Sequence, residues 1–369
     1  MKQMKVIISG GGSGGHIFPA IAIANELKRQ NAQTEILFVG AQEKIEMEKV
    51  PKAGYPIEGL WISGIHRKLT LRNLLFPIKL LVSLWKAYRI ISRFKPDVVI
   101  GVGGFASYPT LAVASRRGIP TLIQEQNSYA GLSNKLLKST VDKVCVAYDQ
   151  MERFFPAAKI VLTGNPVRQD IFDLADKKVA ACQHFGFDPQ KPILLLFGGS
   201  LGARTLNDGM GANTELLRSH PEIQVLWQAG KLYIDEFAPS ATAQLDNVKI
   251  SAFIDRMDLA YAMADVVICR AGALTISELC LVKKPAILIP SPNVAEDHQT
   301  SNAMNLVGKE AAILVKDQMA KEKMLAEAIR VLNDDGLKHR LGENIAQLGK
   351  KDAARGIVAE ILALVEKEE

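Results

Sequence analysis

The chain repeats one local design: a short apolar strand, a glycine-rich loop and a helix that begins at once. Lys5–Ser9 leads into Gly10-Gly11-Gly12-Ser13-Gly14-Gly15. Pro192–Phe197 leads into Gly198-Gly199-Ser200-Leu201-Gly202, 187 residues on when counted from Gly11 to Gly198. Glycine leaves the backbone open to a ligand, and the amides at a helix start face an anion. A third loop of this kind, Gly101 to Ser107, follows the buried run Asp97–Gly101. One glycine-rich strand end is commonplace, but three in one chain point to a pyrophosphate, or to two phosphate-bearing ligands.

Around these loops strands and helices alternate. The first part reads as helix Ile17–Gln30, strand Thr34–Val39, a helix through Arg117, strand Thr121–Gln124, a helix near Ser133–Ser139 and strand Lys143–Ala147. Thr163-Gly164-Asn165-Pro166 is turn chemistry and marks a break. Beyond it come a helix over Arg204–Ser219, strands at Ile223–Gln228, Val248–Ala252, Val266–Cys269, Ala286–Ile289 and Ala312–Val315, and closing helices from about Lys321. Val- and Ile-rich strands separated by helices predict parallel, doubly wound sheets with ligands at the strand carboxyl ends. A length of 369 residues calls for two domains. The expected division is 1–166 and 167–346, with a last helix at about 347–369 packing back on the first.

Several chemistries are disfavoured. Gly10–Gly15 satisfies the dinucleotide pattern, but the second strand ends Phe38-Val39-Gly40-Ala41 without the acidic residue that a ribose wants. No GxxxxGK[ST] or HExxH pattern occurs. The four cysteines are scattered without a CxxC pair, which reads as free thiols in a reducing cytoplasm. No signal peptide and no apolar run of spanning length is read, so the expectation is a cytoplasmic protein.

Seven ordered motifs carry a resemblance. They are Gly11–Pro19, Gly101–Pro109, Glu125-Gln126-Asn127, Gly164–Arg168, Gly198–Arg204, Arg270–Glu278 and Asp297-His298-Gln299. Together they resemble the MurG family, which transfers N-acetylglucosamine from its UDP donor to a muramyl-pentapeptide carried on undecaprenyl diphosphate. The resemblance spans nearly the whole chain. It implies the GT-B fold, two Rossmann-like domains facing across a cleft. It further implies an inverting reaction with no cofactor, and a donor site without metal. Departures are mild: Ser13 for threonine, Gln124 for histidine, Leu201 for glutamine and Phe105 for tyrosine, the last two losing a polar group.

The resemblance places UDP-N-acetylglucosamine in the C-terminal half. It puts Ser200 on the diphosphate, the backbone of Ile254 on uracil, Ala273, Leu274 and Thr275 along phosphate and ribose, and Glu278 on the ribose hydroxyls. Gln299 is expected on the sugar, Asn127 on the sugar from the other half, and Arg168 near the diphosphate. Glu278 also reads as the end of a capping box from Thr275, and Arg168 as a surface arginine beside a turn. Ser13, Gly14 and Gly15 are donor contacts in the family, yet the residues leave open whether they touch donor or acceptor diphosphate. Gly12, His16, Gly103 and Gly104 are expected at the acceptor diphosphate. The reaction wants a base for the attacking hydroxyl and positive potential for the leaving diphosphate. His16, where the loop enters its helix, is the candidate base or positioning group, with a packing or capping histidine as the plain alternative. Glu125 is the rival base.

Charge placement adds a partner. His66–Lys95 carries eight Lys or Arg and no acid within a net charge of +6. Arg72, Lys79, Lys86 and Arg93 recur every seven residues beside Trp85, and Pro77 starts or breaks the helix. This reads as a peripheral surface for anionic lipid on the cytoplasmic face of the inner membrane, suited to a lipid-borne acceptor. No aromatic-and-basic motif supports nucleic acid. Other cell-wall enzymes are further expected partners. Two alternatives stand: another GT-B lipid glycosyltransferase, or a UDP-sugar epimerase of the same architecture.

Overall fold

A computed structural model describes residues 3–64, 75–168, 171, 172, 174 and 176–366. The chain divides into two compact units, Met1–Val167 with Asp352–Glu369, and Arg168–Lys351. In the first unit the strands are β1 (Lys5–Ser9), β2 (Glu35–Ala41), β3 (Ile57–Leu60), β4 (Val98–Gly101), β5 (Thr121–Glu125), β6 (Lys143–Val146) and β7 (Ile160–Leu162). They form one sheet in the order β3-β2-β1-β4-β5-β6-β7, with every pair parallel. Its helices are α1 (Gly14–Gln30), α2 (Glu46–Lys52), α3 (Phe76–Phe94), α4 (Ser107–Arg116) and α5 (Leu132–Leu137).

The second unit repeats the plan. Its strands are β8 (Ile193–Phe197), β9 (Gln224–Gln228), β10 (Val248–Ser251), β11 (Val266–Cys269), β12 (Ala286–Leu288) and β13 (Ile313–Leu314), in the parallel order β10-β9-β8-β11-β12-β13. Its helices are α6 (Lys178–Phe185), α7 (Arg204–Ala212), α8 (Thr214–Arg218), α9 (Ile234–Phe237), α10 (Met257–Met263), α11 (Ala273–Val282), α12 (His298–Val307), α13 (Ala320–Asn333) and α14 (Asp335–Ala346). The chain's last helix, α15 (Ala353–Glu366), lies against α1 in the first unit, burying Ile357, Val358 and Ile361 among Ile17, Ile23 and Leu27.

Sequence accounts for these elements directly. The central strands, such as Ile193–Phe197, are apolar at every position because helices cover both faces of a parallel sheet. Pro77 sits in the first turn of α3, where its missing amide costs nothing, so it starts the helix. Asp334 caps α14 by accepting from the Leu337 amide at 2.9 Å. The single helix expected over Arg204–Ser219 is two, α7 and α8, parted at Asn213, whose side chain donates to the carbonyls of Gly209 and Lys321. Strands β3 and β7 and helices α2, α6, α9, α10 and α12 are not anticipated from sequence.

In each sheet the winding reverses once, between β1 and β4 and between β8 and β11. A doubly wound sheet binds ligands just beyond the strand ends at that point.

Candidate active site

In the first unit three loops meet at the carboxyl ends of β1, β4 and β5. The Gly11 amide donates to the Gly103 carbonyl at 3.2 Å, and a β-carbon at Gly104 would lie 2.1 Å from the Gly11 carbonyl oxygen. Only glycine permits that approach, so Gly104 locks the first two loops together. Helix α1 starts at Gly14 with no side-chain cap on its amides. Ser13 and Gly15 are exposed and Gly14 half-buried, at the positions whose N–H groups have no partner within a helix.

His16 lies beside Gly103, where a β-carbon would come within 3.1 Å of its Nε2. Its Nδ1 is 3.0 Å from the Gly11 carbonyl oxygen and 3.1 Å from Ser13 Oγ. A carbonyl only accepts, so the neutral ring carries its proton on Nδ1 and its lone pair on Nε2.

Two expectations shift here. The Gly12 amide, expected on a diphosphate, donates instead to Glu46 Oε2 at 2.8 Å. Glu125, the rival base, is buried with both oxygens engaged. Oε1 accepts from the amide and side chain of Asn127, and Oε2 from the Gly131 amide and Asn134 Nδ2, the latter two at 2.9 Å. A carboxylate so saturated holds its loop in shape and has no lone pair directed at a substrate proton. Ser133 Oγ ties the start of α5 to the Gly104 carbonyl at 3.0 Å, which joins this third loop to the other two.

In the second unit a cavity of about 460 Å³ opens at the reversal point. The ends of β8 and β11 and the starts of α7 and α11 line it, and neither start has a side-chain cap. Two helix N-termini therefore direct amides and positive potential into one space. Thr275 and Gln299 line it, and Gln299 is fixed by the Ser291 amide, which donates to its Oε1 at 2.8 Å. Ala273 and Leu274 open α11. Ser200 is exposed in the loop after β8.

The Ile254 amide, expected on uracil, donates to Gln228 Oε1 at 2.8 Å, so that N–H is already occupied. Glu278 is held from two sides. Arg168 Nε donates to Oε1 at 3.1 Å, and the hydroxyl of fully buried Tyr261 donates to Oε2 at 2.9 Å. Burial first, and the facing carboxylate second, push the Tyr261 phenol well above its ordinary range, so it stays protonated and donating.

Sequence reasoning assigned no role to Arg270. Its NH1 donates to the carbonyls of Ile289 and Pro290 and to Asp317 Oδ1, while Thr205 Oγ1 reaches Asp317 Oδ2 at 3.1 Å. Its place directly after β11 was the available signal.

The basic stripe also changes meaning. Lys79 donates to Ser63 Oγ and lies over the Trp61 ring, Lys86 donates to the Gly59 carbonyl at 2.7 Å, and Arg93 pairs with Glu58. These cations are spent on β3 and the segment after it. Arg72 lies outside the described residues. What α3 presents outward is apolar: Ile78, Leu81, Val82, Trp85 and Tyr88 are all exposed, with Arg89 over the Trp85 ring.

Two doubly wound units, each with uncapped helix starts at its reversal point, define the GT-B class of nucleotide-sugar enzymes. The glycosyltransferase family 28 N-terminal domain matches residues 6–146 and the family's C-terminal domain residues 193–357. A UDP-N-acetylglucosamine–N-acetylmuramyl-(pentapeptide) pyrophosphoryl-undecaprenol N-acetylglucosamine transferase from Cytophaga hutchinsonii is 53% identical over 99% of this chain and 98% of its own. One of the same name from Flavobacterium psychrophilum is 52% identical over the full length of both. The crystal structure of Acinetobacter baumannii MurG superposes with a TM-score of 0.79 at 28% identity, covering 98% of this chain and 99% of that one. A UDP-GlcNAc 2-epimerase from Neisseria meningitidis shares the fold, with a TM-score of 0.68 at 15% identity over 98% of this chain and 100% of that one. The chain belongs to the MurG family within glycosyltransferase family 28.

Proposed function

We propose that the chain moves N-acetylglucosamine from UDP-N-acetylglucosamine to the C4 hydroxyl of a polyprenyl-diphosphate-linked N-acetylmuramoyl-pentapeptide, with inversion, in peptidoglycan synthesis. The observation that carries this reading is the duplication of anion-seeking loops, one set in each unit, in a chain whose full-length relatives bear that activity in their names. Two diphosphate-bearing substrates need two such sets. An epimerase acting on one soluble nucleotide sugar needs only one.

The second unit is assigned the donor. The amides at the starts of α7 and α11 take the diphosphate, and Arg270 adds positive potential as UDP leaves with one more negative charge. Glu278, aimed by Tyr261, receives the ribose hydroxyls, and Gln299 the sugar. The first unit is assigned the acceptor, its diphosphate on the amides of Ser13, Gly14 and Gly15. The muramyl oxygen attacks the anomeric carbon as the bond to the UDP oxygen breaks, and its proton passes to His16 Nε2. Asn127, held by Glu125, is assigned to the sugar. The apolar face of α3 rests on an anionic bilayer, so the enzyme is peripheral on the cytoplasmic face of the inner membrane and meets its lipid-borne acceptor there. No helix among the described residues is long and apolar enough to cross a membrane.

The test is transfer of labelled N-acetylglucosamine from its UDP donor to the lipid-linked muramyl-pentapeptide, by the wild type and by His16→Ala. The expected result is transfer by the wild type, turnover at least about tenfold lower in the variant, and nearly unchanged donor affinity. Release of UDP to water alone, or transfer to a different lipid, overturns the acceptor assignment. Wild-type turnover in the variant removes His16 from the chemistry.

A further inference from the structure

Glu46 stands in a run of charged residues, Glu43 to Lys49, that reads as solvated surface, yet the fold buries its side chain completely. Its Oε1 accepts the Ala41 amide at 2.9 Å and its Oε2 the Gly12 amide at 2.8 Å. The pocket exists because two glycines make room for it. A β-carbon at Gly11 would lie 2.2 Å from the carboxyl carbon, and one at Gly40 would lie 2.6 Å from Glu46 Cγ. Gly11 (φ +142°) and Gly12 (φ +87°) both hold backbone conformations that L side chains rarely adopt. A buried carboxylate thus takes the Gly12 amide, one of the loop N–H groups that a dinucleotide fold would offer to the phosphate of its ligand.

We propose that Glu46 is a positioning residue for the acceptor site. Its carboxylate serves as an internal anion that fixes the first glycine loop from within, so the next amides, those of Ser13 to Gly15, and His16 point outward to the acceptor. This rests on the reading that the first loop serves the acceptor diphosphate. A carboxylate is required because both oxygens must accept from backbone N–H groups. A glutamine of the same shape accepts with one oxygen and turns an NH₂ group against the other amide. Burial makes that mismatch costly, because neither group can turn to water instead. Released from Glu46, the loop samples other conformations, and the competent one must be recovered at the expense of acceptor binding.

The experiment is steady-state kinetics of the full-length Glu46→Gln enzyme with both substrates varied, beside hydrogen exchange of the wild-type amides. The expected result is an acceptor KM raised by about tenfold, with the donor KM within about twofold of wild type. In the wild type the Gly12 and Ala41 amides should exchange slowly although both lie outside a helix. A fall in kcat with both KM values unchanged, or exchange at Gly12 as fast as an open loop, overturns the role of Glu46. A rise in donor KM alone keeps Glu46 as the loop's anchor and overturns the acceptor reading of that loop. Should the variant not fold, the wild-type exchange rates decide.

Discussion

Removing the Tyr261 hydroxyl is expected to weaken UDP binding while leaving the second unit folded. Tyr261 is fully buried, and its ring meets Phe197 edge-on at 6.1 Å between centroids. Tyr261→Phe keeps that ring and opens no cavity. It deletes one hydrogen bond, of 2.9 Å, to the Glu278 carboxylate. A hydrogen bond to a charged group contributes about 1.5–3 kcal/mol. The Glu278 side chain is 12% exposed and still paired with Arg168, so water and the guanidinium recover part of this. A net loss of about 1–1.4 kcal/mol corresponds to a UDP dissociation constant about 5–10-fold higher. Calorimetric titration with UDP measures it directly. The same substitution in a Glu278→Ala background separates positioning from general damage, since no carboxylate remains to be aimed and the expected change is below about twofold. Equal losses in both backgrounds, or none in either, would refute the argument that Tyr261 acts through Glu278.

Two further outcomes follow from charge and exposure. Burial lowers the Lys284 ammonium to about 8, against a weaker opposing pull from Asp265, so the folded state binds fewer protons than the unfolded state between that value and the ordinary lysine range. Stability should therefore rise with pH from about 8 to about 10, by up to about 1.4 kcal/mol per unit, and Lys284→Met should flatten the rise in denaturant melts at stepped pH. On α3, Leu81→Asp with Trp85→Asp should abolish most flotation with anionic vesicles, because burying each of the native side chains stabilises by about 1.5–3 kcal/mol. Lys79→Gln should change flotation far less, its ammonium being engaged with Ser63 and Trp61. Undiminished flotation of the double variant would place the membrane contact elsewhere.

The sheets and their glycine loops were legible because a central parallel strand is apolar throughout and the turn after it needs glycine. The edge strands of the first sheet carry no such mark. Only Gly59 and Leu60 of β3 are buried, and β7 has no fully buried position, so neither stands out from its surroundings. The seven-residue recurrence of Lys79, Lys86 and Arg93 did put them on one side of α3. Which side they face was decided by acceptors on β3 and beyond it, 16 to 35 residues away in the chain. Glu125 stands out in the sequence as a polar residue at a strand end, but its four donors, from the loop that follows and from α5, do not. Glu46 was invisible for the same reason: its partners are backbone amides, and no side-chain pattern announces them.

The return of α15 to the first unit has a consequence for synthesis on the ribosome. The first unit lacks its last helix until the whole of Arg168–Lys351 has been made. Until then Ile17, Ile23 and Leu27 of α1 have no Ile357 or Ile361 to cover them. The second unit, continuous in the chain, can complete its core while its neighbour still waits, so the half that begins first is the half that finishes last. A nascent chain halted before residue 353 should carry an exposed apolar seam along α1, the natural target for a chaperone.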